Sequence, residues 1–197
     1  METKALTSRL TTARLMQEAT VRSCGLEDYK FIITRARTSG DLSQDVKFQR
    51  RFTYFYRVRR PIEWLYHYYR LFQSMRSVAN PQFADILSAI AAFSDNRVEI
   101  SFASKMLATI NPDLPIWDRY IRDNLGLPEI PPSRSPRRFE QAVAAYELLT
   151  ERMTDLLATD EAKREIAEFD RIFPRYSDFS PMKKLDYLIW GFNRVSA

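Results

Sequence analysis

The chain has 197 residues, of which 45% are hydrophobic and 28% charged, with a mean hydropathy of -0.38, a globular composition that excludes a membrane-embedded or disordered protein. Four glycines (Gly25, Gly40, Gly126, Gly191), one cysteine (Cys24) and one histidine (His67) leave no glycine-rich phosphate loop, no zinc cluster and no disulfide scaffold, so neither a metal nor a cofactor is expected. The net charge of +5 is held unevenly: residues 1 to 60 carry thirteen basic against six acidic side chains and the remainder has no positive excess, which suits an anionic partner for the first third.

Taken in chain order, apolar spacing and proline punctuation predict helices near 4 to 23, 27 to 38, 42 to 58, 61 to 78, 81 to 94, 99 to 110, 118 to 125, 136 to 157, 160 to 171 and 180 to 193. Asn80-Pro81, Ser135-Pro136 and Ser180-Pro181 each read as an N-cap followed by proline at the first helical position. Period-two alternation is almost absent, so the expected fold is all-α, a single compact multi-helix domain of nine or ten helices. One stretch, Phe52 to Val58, has aromatic and β-branched content that suits a strand as well as a helix. Gly126 to Ser135, with three prolines and a helix-ending glycine, reads as a linker between a main portion, 1 to 125, and a C-terminal portion, 136 to 197, expected to pack on the same core. Met1 to Thr7 carry no apolar core of a secretory signal, so a cytoplasmic location and no membrane partner are expected.

The most distinctive segment is basic and aromatic. Lys47, Arg50, Arg51, Arg57, Arg59 and Arg60 alternate with Phe48, Phe52, Tyr54, Phe55 and Tyr56, and no acid falls between Asp45 and Glu63. On a helix Phe48, Phe52 and Phe55 share one face, while Lys47, Arg50, Arg51 and Tyr54 gather toward the other. Guanidinium groups on such a face neutralise phosphates and a tyrosine offers a stacking surface, so nucleic acid is the expected partner, DNA before RNA. The same pattern also fits an apolar core stripe with a solvated cationic back. In the run Trp64 to Tyr69, core aromatics are expected and His67 is expected to be partly buried.

A second segment runs from Ser101 to Ile121. A short helix bears Lys105, a loop marked by Pro112 and Pro115 turns the chain, and Asp118 opens the next helix, where backbone N–H groups and the helix dipole favour its ionised form. This order, followed by Arg119 and Ile121, resembles the catalytic segment of the helix-hairpin-helix DNA glycosylases, including the oxoguanine glycosylase branch. The resemblance implies Lys105 as the nucleophile toward the sugar of a flipped, damaged nucleotide and Asp118 as the essential carboxylate. An extruded base needs an apolar pocket, for which Phe102, Trp117 and Tyr120 are the nearest candidates in sequence. The family's glycine-rich turn before the lysine, which holds a phosphate on backbone N–H groups, is replaced here by Asp95-Asn96-Arg97-Val98-Glu99-Ile100.

Toward the C-terminus, Leu185, Leu188, Ile189 and Phe192 form an apolar stripe, and Trp190 is expected to anchor the helix. Lys183 and Lys184 near its start are expected to be a solvated pair. The expected function is a nucleic-acid-associated protein resembling a DNA base-excision glycosylase, active or inactive. The alternative is a non-enzymatic helical interaction module that binds an acidic protein or nucleic acid.

Overall fold

The structure, a computed structural model, describes residues 25 to 130 and 136 to 195; the helix expected over 4 to 23 and the cap expected at Ser135 lie outside them. Nine α-helices are present among the described residues: α1 (Leu26–Thr38), α2 (Val46–Phe55), α3 (Ile62–Arg76), α4 (Phe83–Phe93), α5 (Ile100–Ile110), α6 (Arg119–Asn124), α7 (Pro136–Ala158), α8 (Asp160–Ile172) and α9 (Pro181–Val195), with a 3₁₀ turn at Pro174–Tyr176. No strand occurs among those residues, and the fold is all-α. The ambiguous stretch from Phe52 is helical to Phe55 and then turns.

Local chemistry sets the helix ends. Asp45 caps α2 by accepting the Phe48 N–H at 3.1 Å, Thr159 caps α8 through the Ala162 N–H at 3.2 Å, and Ser180 caps α9 through the Lys183 N–H at 3.1 Å. The proline at Pro81 behaves differently from expectation. Its helix, α4, starts two residues later, with Gln82 in an extended conformation at the cap. Gly25 precedes α1 with φ 62°, and a Cβ there would lie 2.7 Å from the Phe55 ring, so both backbone and space require glycine.

Contacts divide the chain into two units. Among the described residues one contains 25 to 111, 130 and 136 to 146, hence α1 to α5 and the first part of α7. Its core is aromatic: Phe48, Phe52, Tyr68 and Phe72 are fully buried, joined by Ile32, Leu42, Ile86, Leu87, Ile90 and Met106. Phe52 meets the Phe72 ring edge-on at 5.5 Å, and Phe83 stacks on Tyr146 at 3.9 Å. α2 and α3 meet through aromatic rings, Phe48 on Phe72 and Phe52 on Tyr68 and Tyr69, with two hydrogen bonds beside them. The Thr53 and Tyr69 hydroxyls lie 2.7 Å apart, and Tyr69 donates to the Gln49 carbonyl at 3.0 Å.

The other unit contains, among the described residues, 112 to 129 and 147 to 195. Leu149, Met153, Leu156, Phe169, Leu185 and Leu188 fill its core. The apolar stripe of α9 docks as expected at Leu185, Leu188 and Ile189, but Trp190 is only half-buried and the anchoring falls to its neighbours. Lys183 and Lys184 are buried rather than solvated, because each has a carboxylate partner: Asp186 for Lys183 and Asp170, at 2.6 Å, for Lys184. The Ser177 carbonyl takes a further hydrogen bond from Lys184.

Candidate nucleic-acid interface

α2 forms where it does because Phe48 and Phe52, one turn apart, both reach the core. That fixes the opposite side of the helix outward. Lys47, Arg50, Arg51 and Tyr54 are all exposed, Tyr54 at 76%. The helix then ends on Arg57, whose φ is 51°. The Arg57 N–H donates to Tyr54 at 3.2 Å and the Val58 N–H to Thr53 at 2.9 Å, a left-handed helix terminus that normally selects glycine. α6 ends in the same way on Gly126 at φ 63°, with the Gly126 N–H on Asp123 and the Leu127 N–H on Arg122.

The six cations among the expected contact residues separate into two groups by partner. Arg51 pairs with Asp28 and lies 4.9 Å from the Phe31 ring. Arg60 pairs with the buried Glu99 and packs over the rings of Trp64 and Phe102. Those two charges are answered internally. Lys47, Arg50, Arg57 and Arg59 are exposed and make no ion pair among the described residues.

Lys105 belongs to the same unit. Its ammonium donates to the Tyr56 carbonyl at 3.3 Å and lies 5.8 Å from the Tyr56 ring and 5.7 Å from the Phe102 ring, while Arg60 lies 5.0 Å from that same Phe102 ring. Phe102, half-buried, also packs against Trp64 at 5.0 Å. In the turn before this helix Asp95 and Asn96 both take positive φ, at 54° and 57°, which after glycine are the residue types best suited to it. The N–H groups of Ser94 and Asn96 are donated to Ala91 and that of Arg97 to Ser94, so the turn holds these donors on its own backbone.

Asp118, Trp117 and Tyr120 lie in the other unit. Asp118 opens α6 and accepts the Tyr120 N–H at 2.8 Å. Trp117 is buried, and Tyr120 is half-buried with the Arg119 guanidinium 4.9 Å from its ring. Sequence reasoning missed the group beside Asp118. Burial pushes the Asp186 carboxyl above its ordinary value, the Lys183 ammonium opposes that, and the negative charge of Asp118 reinforces it. The i,i+3 spacing of Lys183 and Asp186 was the available signal.

His67 is exposed, not partly buried, and its ring lies nearly parallel to Phe93 at 5.6 Å. Among the described residues no group of three or more His, Cys, Asp or Glu side chains is placed to hold a metal ion, and no helix is long and apolar enough to cross a membrane. Compared with family models, curated proteins and solved structures, the chain matches none.

Proposed function

We propose that this chain is a nucleic-acid-binding helical protein whose contact face is the outer surface of α2 and the turn that follows it. One observation carries the reading: Lys47, Arg50, Arg57 and Arg59, all within seven residues of the exposed Tyr54 in sequence, are themselves exposed and make no ion pair among the described residues. The cations of such a face would displace counterions condensed on the phosphates, so binding must weaken steeply with salt. Titrating labelled DNA with the full chain at several salt concentrations tests this, and alanine at Lys47 and Arg50 should each lower the salt slope by about one. Absence of salt-sensitive binding overturns it. The competing partner is an acidic protein, and in that case polyglutamate would displace DNA at matched charge.

A second, finer reading is the lyase chemistry implied by the resemblance to the helix-hairpin-helix glycosylases, with Lys105 as nucleophile. What supports it is the setting of Lys105, half-buried with the Arg60 guanidinium on the same Phe102 ring. Phe102, one of the residues expected to line the pocket of an extruded base, lies 5.7 Å from the Lys105 ammonium.

A further inference from the structure

Five large hydrophobic side chains stand exposed among the described residues, and four of them, Val46, Tyr54, Ile62 and Tyr66, belong to the α2 and α3 hairpin. Single exposed apolar groups are ordinary, but their concentration on one supersecondary unit marks a binding surface. Their spacing places them in two stripes. Val46, Arg50 and Tyr54 recur every fourth residue on α2, and Ile62, Tyr66 and Arg70 do so on α3, so each set lies along one helix face.

The two stripes flank the same seam. Thr53 and Gln49 of α2 meet Tyr69 of α3, and Arg50 and Tyr54 each follow a seam residue by one position. The two helices run antiparallel, with Phe48 against Phe72 and Phe52 against Tyr68. One further step around α2 from its seam leads to Arg50 and Tyr54, and the corresponding step around α3 from Tyr69 leads to Tyr66 and Arg70, so both stripes face the same outer side. The Arg70 guanidinium donates to the Tyr66 hydroxyl at 2.6 Å and lies 5.4 Å from the ring centroid, which holds the ring in one orientation.

We infer that the nucleic acid held by this face is single-stranded, with Tyr54 and Tyr66 each stacking an unstacked base and Arg50, Arg57 and Arg70 taking the intervening phosphates. The inference rests on the binding reading above and narrows it. A duplex hides the faces of its bases in its own stack and needs only cations from a surface of this kind, so two exposed rings would add nothing to its binding. A single strand offers every base as a ring partner, whatever its sequence.

The test is fluorescence anisotropy of the full chain with one labelled mixed-sequence oligonucleotide, presented as single-stranded DNA, as single-stranded RNA and as duplex DNA, at one fixed salt concentration. Wild type should bind a single strand at least about 10-fold tighter than duplex. Tyr54→Ala and Tyr66→Ala should each weaken single-strand binding by about 5- to 150-fold, the range of one lost stack, and change duplex binding less than about 2-fold. The phenylalanine variants should restore it, since the ring and not the hydroxyl does the stacking; both side chains are exposed, so unchanged circular dichroism and thermal midpoints are expected. Duplex binding as tight as single-strand binding, or equal losses for both forms, overturns this inference while leaving the electrostatic reading in place. Failure of all three oligonucleotides to bind overturns both.

Discussion

The Asp45 carboxylate accepts the Phe48 N–H at the start of α2 and at the same time meets the Arg35 guanidinium of α1 at 2.6 Å. One buried side chain therefore both begins the cationic helix and ties it to its neighbour. Burial works to raise this carboxyl, but the Phe48 N–H, Ser39 and Arg35 together hold it below its ordinary value of 3.8. A depressed carboxyl contributes stability that is full above the ordinary value and is lost as pH falls through the folded one.

Asp45→Ala should therefore cost about 1 to 2 kcal/mol at pH 7, the usual range for a lost cap with a partner charge. Asp45→Asn keeps an acceptor for the Phe48 N–H and should cost less. In urea melts across pH 2 to 7, the gap between wild type and Asp45→Asn should close below about pH 4. A gap that is constant with pH would mean that the charge of Asp45 contributes nothing.

Arg57 and Gly126 occupy the same left-handed position at two helix ends. A non-glycine residue there costs about 1 kcal/mol or more, so the turn itself gives no reason for arginine. Arg57→Gly should raise stability by about 1 kcal/mol, or roughly 2 to 4 °C in thermal midpoint for a chain of this size. It should also weaken nucleic-acid binding and reduce the salt slope by about one. Opposite signs in the two measurements are what a functional arginine in a strained turn requires; a gain in stability with unchanged binding would remove Arg57 from the interface.

Lys183 and Asp186 form a buried pair in which neither partner can be deleted alone without leaving a desolvated charge. Lys183→Met and Asp186→Leu should each cost about 3 to 5 kcal/mol, whereas the double variant should lie near wild type or above it. A double-mutant cycle by denaturant unfolding reads the coupling directly. Additive losses would show that the two side chains act separately.

Most of the helices were legible because their apolar residues recur with helical spacing, and the all-α fold followed from that alone. The expected helix over 42 to 58 was longer than α2 at both ends for local reasons. At the start, the Ser43 N–H turns onto the Asp41 carboxylate at 2.8 Å, which leaves Asp45 as the cap. At the end, Arg57 adopts a conformation that composition assigns to glycine. The burial of Lys184 was not legible, because Asp170 and Ser177 reach it only through the tertiary fold. For the contact face, the spacing showed which cations point outward, but not that Asp28 and Glu99 would answer Arg51 and Arg60.

The lyase reading makes the most demanding prediction. A neutral Lys105 amine condenses with the aldehyde of a ring-opened abasic sugar, expelling water to form an imine, and borohydride then delivers hydride to give a stable secondary amine. Before it attacks, the Lys105 amine must give up its hydrogen bond to the Tyr56 carbonyl. Wild type should yield a covalent protein–DNA adduct on abasic-site DNA, and Lys105→Ala should yield none while still binding the same DNA through the α2 face. Trapping that persists in Lys105→Ala would assign the chemistry to another amine. No trapping in wild type would leave Lys105 as the cation that closes the Tyr56 and Phe102 contact and Asp118 as the cap of α6.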